Sequence, residues 1–253
     1  MKDKYLKGLS MDFDNDGDAL NCTIKGGELR LSPSIIFKDN AIMLYARDNS
    51  VGLGYNYNNG TDEENRGEFY LTGDFSDSTP GNVSINAKNL ASNIYLSGEN
   101  WNIDQAEYTY HSEGGTVKGL RISNGDQQIL IDGGISASNP DSLLVSLDNL
   151  DLSFINTLIE KNIGIEGLAA GKVLVTSPFK GTPGIVANLT SEGTSVSGHQ
   201  AGTVTAACSL ENESGDLVFA LRNSLDGHSS IDTRGTYSLK EKEVGIQASL
   251  DRM

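Results

Sequence analysis

Apolar residues recur two apart along this chain, from Leu9, Met11 and Phe13 near its start to Val244, Ile246, Ala248 and Leu250 near its end. The same period returns in Ile42, Leu44 and Ala46, in Val83, Ile85 and Ala87, and in Leu143, Val145 and Leu147, with mostly Ser, Thr, Asn, Asp and Lys between. A period of two belongs to a β-strand with one dry and one wet face, because successive side chains leave a strand on opposite sides. A helix would repeat its apolar residues every three to four positions. Turn clusters such as "YNNGTDEENRG", "SDSTPG", "SNGDQ", "SNPDS" and "ENESGD" separate the runs. Their spacing of about 10 residues is that of antiparallel β proteins.

Glycine adds a second constraint. The chain holds 29 glycines against five prolines. A loose echo, "LKGLSMDF", "IKGGELRL", "VKGLRIS", "IDGGISAS" and "TRGTYSL", sets a glycine after a charged residue and then resumes the alternation. Glycine inside a strand marks a bulge or bend, so the sheet is expected to curve repeatedly. Repetition without a fixed short period favours an elongated sheet over a closed globule. The pattern predicts an all-β chain, an elongated, curved, mostly antiparallel sheet, with residues 1–253 forming one continuous body.

One segment departs from the period. In "LSFINTLIEKNIG", Ser153 stands as a helix N-cap, Phe154, Ile155, Leu158 and Ile159 carry helical spacing, and Lys161 and Gly164 close the run. A short amphipathic helix of about two turns is expected there, seated on the sheet by its apolar side.

In "SMDFDNDGDAL", Asp12, Asp14, Asp16 and Asp18 fall on alternate positions around Gly17. A calcium loop of the D-x-D-x-D-G kind needs a bidentate glutamate at its twelfth position, and that position here is Thr23. The flanking alternation and the Asn-Asp-Gly tip instead predict a hairpin. Asp12, Asp14, Asp16 and Asp18 remain the candidate for a bound cation.

The formal charge of −15 argues against nucleic acid, whose phosphates need a basic face, and against an anionic bilayer surface. No apolar run approaches 18 residues and no signal peptide is visible, so the segment itself is expected to be soluble. Cys22 and Cys208 stand alone on apolar strand positions, the pattern of small core residues, with a disulfide as the alternative.

Catalytic patterns are missing. His111, His199 and His228 sit in turn-like sequence without metal-ligand spacing, and no cofactor motif occurs. "GISAS", Gly134 to Ser138, approaches a nucleophile elbow but ends in serine. The carboxylate pairs Asp148 with Asp151 and Glu63 with Glu64 read as solvated turn charges. A sugar-binding reading would use Trp101, Tyr108 and Tyr110 of "WNIDQAEYTY", although strand aromatics are ordinarily packing residues. The chain is therefore expected to be no enzyme and to carry no cofactor.

What remains is an apolar face with one short helix to cover it. An uncovered face of this size exceeds the patch that soluble monomers tolerate, so it must meet another layer or a ligand. The residues expected to line it are Val145, Leu147, Val173, Val175, Ala187, Leu189, Val204, Ala206, Phe219, Leu221, Ile246 and Ala248. Alternation looks the same in the core of a closed sandwich, and that alternative, an extracytoplasmic carbohydrate-binding or adhesive β protein, stays open.

Over residues 115–250, "VKGLRISNGDQQILIDGGIS", "LLVSLDNLDLSFINTLI", "IGIEGLAAGKVLVTSPFKGTPGIVANLTSEG", "HQAGTVTAACSL" and "RGTYSL" follow one another. This succession resembles the TamB/AsmA-like family of bacterial envelope proteins, the translocation and assembly module subunits, of a Bacteroides type. The resemblance implies a sheet rolled into a taco-like groove, within a protein anchored in the inner membrane and crossing the periplasm. It also implies phospholipid acyl chains as cargo, an outer-membrane assembly-type β-barrel as partner, and a role in outer-membrane protein assembly or secretion. The chain would then be an internal piece of a longer protein.

Overall fold

The computed structural model describes residues 5–30, 36–58, 65–77, 83–96, 98–112, 114–136, 142–158, 163–176, 184–210, 215–225, 228–238 and 241–250. Among them lie nineteen strands and one six-residue helix, and the register of each strand pair given below is antiparallel. The expected all-β, antiparallel class with one short helix is what the chain adopts. Where one body was expected over residues 1–253, the contacts gather into two compact units, residues 1–125 with 157–160 and residues 126–156 with 161–253.

The first unit holds β1 (Tyr5–Lys7), β2 (Ser10–Asp16), β3 (Ala19–Arg30), β4 (Ile36–Arg47), β5 (Ser50–Tyr57) and β6 (Arg66–Asp77). It continues with β7 (Val83–Asn89), β8 (Ser92–Leu96), β9 (Glu99–Ile103), β10 (Glu107–His111) and β11 (Gly114–Asn124). The predicted hairpin at the aspartates is present: Asp16 pairs with Ala19, and Gly17 takes the first turn position at φ 65°. Glycine leads such two-residue turns because a positive φ costs it nothing.

β2 and β1 share one edge of β3, and β3 to β6 then follow in chain order. Beyond β6 the sheet forks. β6 pairs with β7 from Leu71 to Asp77 but with β8 at Arg66 and Gly67. One branch runs β7–β10–β11 and the other β8–β9–β11, so both meet again on β11.

Asn89 ends β7 at this fork and is fully buried. Its Nδ2 donates to the carbonyls of Leu90 (3.0 Å) and Asp104 (2.9 Å), while its Oδ1 accepts from the Ala106 N–H (2.7 Å) and the Tyr108 hydroxyl (3.3 Å). Backbone groups that lose their strand partner where a sheet divides must find another, and one amide side chain supplies both donors and acceptors. Trp101, Ile103 and Ala106 are buried on or beside the same branches.

The second unit holds β12 (Gln127–Ser136), β13 (Ser142–Asp151), the start of α1 (Ser153–Leu158), β14 (Ile165–Thr176), β15 (Gly184–Val196) and β16 (His199–Leu210). It ends with β17 (Asp216–Leu225), β18 (His228–Ser238) and β19 (Val244–Leu250). From β12 to β19 each strand pairs with the next in sequence. The register shifts of β14, β15 and β16 lie beside Gly167, Gly193 and Gly202, all at positive φ, and not at echo glycines such as Gly26 and Gly235, where the ladder runs without a shift. Buried Ser191, Thr194 and Ser195 close the gap there, Thr194 donating to the Ser191 hydroxyl at 2.8 Å and Ser195 to Glu166 at 2.8 Å.

The helix departs from expectation at its cap. It is six residues long, and its N-cap is Asp151 rather than Ser153: Asp151 Oδ1 accepts the Ser153 N–H at 2.8 Å. A carboxylate two residues upstream reaches the free N–H groups of a first turn as well as a serine does. Asn156 ties the helix to β14 by a reciprocal pair, donating to Ile165 O (2.8 Å) and accepting its N–H (3.1 Å). Ile159 and Lys161 lie outside the described residues.

Candidate functional site: an open apolar sheet face

Residues paired across antiparallel strands share a face of the sheet. One row of the second unit runs Ile131, Val145, Val173, Ala187, Cys208, Phe219, Gly235 and Ile246. The next runs Ile129, Leu147, Gly171, Leu189, Ala206, Leu221, Thr233 and Ala248. Val175 stands in a third row between Leu143 and Ile185, and Val204 in a fourth between Ser191 and Asn223. All twelve residues expected to line the apolar face are thus brought to one face of one unit.

The glycines in these rows are not gaps. A Cβ at Gly235 would meet the Phe219 ring at 2.4 Å, and one at Gly171 would meet Leu189 Cδ2 at 2.9 Å, so neighbouring side chains lie over both. Of the twelve, Ala187 alone is buried; Leu221 is 42% and Ile246 59% exposed, and Ala248 is exposed as well. The remaining eight are half-buried. Half-burial is what neighbours within one layer provide, and a second packed layer would take such residues near zero.

The reverse face is mixed: Leu144, Leu174, Val186, Ser209 and Val218 make one row across it, with Val186 and Val218 46% and 44% exposed, and the neighbouring rows carry the polar groups. Those rows place Lys172 beside Asn188 and run Thr205, Arg222, Asp232 and Ser249 across the last strands. Arg222 Nη2 donates to Asp232 Oδ2 at 2.6 Å and Arg234 Nε stands 3.8 Å from Oδ1. The Arg222 hydrogen bond holds the Asp232 carboxyl below its usual range. A shallow concavity of about 340 Å³ lies over this face, with Ala170, Asn188, Thr205, Ala207, Ala220 and Arg222 around it.

The first unit repeats the division. Phe13, Cys22, Leu44, Leu53 and Leu71 form an apolar row that ends on Asn89, and Phe13 and Leu44 are 65% and 41% exposed. Both cysteines are free thiols on these apolar faces, Cys22 buried and Cys208 half-buried.

The other candidates are dispersed. Asp12 and Asp14 are exposed on the polar face of β2 and Asp18 is exposed in the turn; the side chain of Asp16 lies outside the described residues. No group of three or more His, Cys, Asp or Glu is placed to hold a metal among the described residues. Asp148 is exposed beside the bulge and Asp151 caps the helix, while Glu63 and Glu64 lie outside the described residues. His111 ends β10 and His199 opens β16, and the side chain of His228 is outside the described residues, as are Ala137 and Ser138 of "GISAS".

Of the aromatic set, Trp101 is 4% exposed and faces the interior. Tyr108 turns its hydroxyl to Asn89, and burial raises its pKa above the ordinary phenol value; Tyr110 is 60% exposed. These three do not form a common sugar platform. The residue that alternation overlooked is Asn89, although it follows Val83, Ile85 and Ala87 on their own parity.

No helix among the described residues is long and apolar enough to cross a membrane. No protein-family model matches the chain, and neither the curated proteins nor the solved structures give a match.

Proposed function

We propose that the chain is a periplasmic segment of a TamB/AsmA-like envelope protein whose apolar sheet face acts as a non-catalytic conduit for phospholipid acyl chains between inner and outer membrane. On this reading it serves outer-membrane biogenesis and protein secretion alongside an inner-membrane anchor and an outer-membrane assembly-type β-barrel. The observation that carries it is the second unit's apolar face, continuous through eight strands and left half-exposed.

Eight strands at ~4.8 Å spacing span about 34 Å. That exceeds the depth of one leaflet, half of a hydrocarbon core of about 30 Å. A sixteen-carbon tail loses about 12 kcal/mol on entering water, at ~0.8 kcal/mol per methylene. An apolar lining removes most of that barrier, and sliding along it needs no bond to break.

Val175→Asp and Ala206→Asp test the reading. Both variants are expected to fold, with circular dichroism unchanged, and to lose cross-linking to a phospholipid carrying a photoreactive acyl chain. Unfolding of both variants would show that the face is a dry, sealed core, since an unpaired buried charge is not tolerated there.

A further inference from the structure

On the wet face of the first unit, one cross-strand row runs Tyr45, Gly52, Thr72, Lys88 and Glu107. Beside it run Ser50, Asp74, Asn86 and Thr109. A concavity of about 610 Å³ lies over the two rows. Gly52 leaves the row without a side chain at that point, and a Cβ built there would stand 3.7 Å from Tyr45 Cβ and 4.0 Å from Tyr45 Cδ1. The tyrosine therefore walls the dent. Shielding of a strand glycine explains the inner side of the ring. The outer side of the ring remains 41% exposed, and Met43 and Tyr70 share this face around Gly54.

The groups around the dent form a mixed set. Asp74 and Glu107 accept hydrogen bonds, Lys88 donates, and Asn86, Gln105 and the hydroxyls do both. Ser50 Oγ holds Asp74 at 3.0 Å, and Lys88 stands 3.2 Å from Glu107, so both carboxylates are positioned. Neither Tyr45, Asn86 nor Gln105 has a side-chain hydrogen-bond partner among the described residues. Asp74 and Glu107 are balanced by Lys88 and by Lys118, 3.9 Å from Glu107, so the dent has no surplus positive charge, and the chain as a whole is at −15, which disfavours an anion. A neutral ligand dense in hydroxyls matches the donors and acceptors together and can lay its C–H face on the ring. The volume falls within the range of small-molecule sites, about 300–1,000 Å³.

We infer that the water-facing side of the first unit binds a neutral saccharide, with Tyr45 as the stacking wall and Gly52 as the floor. The site lies on the face opposite the apolar rows and is independent of lipid binding.

The test is calorimetric and NMR titration of the full 253-residue chain with maltose, cellobiose, lactose and diacetylchitobiose. At least one sugar is expected to bind saturably, and Tyr45→Ala to weaken it tenfold or more. Gly52→Val is the second variant: its first added carbon meets nothing nearer than 3.7 Å, so the melting temperature should hold while binding is lost. Absence of binding by all four sugars, or binding by both variants equal to that of the parent chain, overturns the inference.

Discussion

The two units meet the same demand in different ways. In the second, every strand from β12 to β19 pairs with its neighbours in sequence, and Ala169 and Ala187 are the apolar residues it buries among those described. In the first, the sheet divides after β6, and Tyr57, Trp101, Ile103 and Ala106 are buried on β5 and the branches. The polar interior differs as well: Asn40, Asn58, Asn65 and Asn89 in the first unit, Ser191, Thr194 and Ser195 in the second. A fork strands peptide groups away from their ladder, and asparagine, itself an amide, stands in for the missing peptide. A meander strands few, and glycine with small hydroxyls is enough to absorb a shift of register. Division of a sheet thus creates an enclosed core, while simple succession leaves a face open.

The largest effect should come from Asn89→Ala. It orphans two carbonyls, the Ala106 N–H and the Tyr108 hydroxyl, each costing about 1–3 kcal/mol. A loss of about 3 kcal/mol or more is expected in urea unfolding, with faster hydrogen exchange in β7 to β11 and none in β15 to β17. Equal loss of protection in both regions would erase the distinction between the units.

Aspartate at Ile103 and at Ile246 sharpens the contrast of enclosed and open faces. Ile103 is 7% exposed and Ile246 59%. The first substitution should cost about 3 kcal/mol as a charge without a partner, the second less than about 0.5 kcal/mol. Equal costs by chemical denaturation would mean that the second unit is sealed after all.

Glycine at the register shifts comes next. A Cβ at Gly202, where φ is 73°, would stand 2.2 Å from Ser224 O; at Gly193, with φ 60°, it meets nothing within 4 Å. Gly202→Ala should therefore cost about 2–3 kcal/mol through clash and strain together, and Gly193→Ala about 1 kcal/mol through strain alone. Thermal unfolding of the two variants checks the order.

The smallest effect concerns Asp232. Its folded pKa is depressed, so whatever stability it contributes is present above the unfolded carboxylate value and is lost as pH falls through the folded one. In Arg222→Met the Asp232 carboxyl should titrate at higher pH, read by carbon NMR of the side chain.

Alternation carried the strands, the hairpin at Gly17 and the common face of Val145, Val173, Ala187 and Phe219, because parity along a strand is a local property. The helix was visible at Ser153 but its cap was not, since capping depends on where the chain leaves β13 and not on residue type alone. Asn89 was hidden for a different reason. Read locally it is one more polar strand residue, and its role depends on pairings with Asp104, Ala106 and Tyr108 that lie 15 to 19 positions away. Tyr45 and Gly52 were likewise separable only once β4 and β5 were set side by side.

The succession of hairpins in the second unit has an evolutionary corollary. Its ladder bonds join elements already adjacent in the chain, so loop closure is short and folding can propagate from any hairpin along the row. Duplicating or deleting a pair of strands would lengthen or shorten such a row without rewiring it, which makes reach a quantity that gene duplication can tune in steps of about 10 Å.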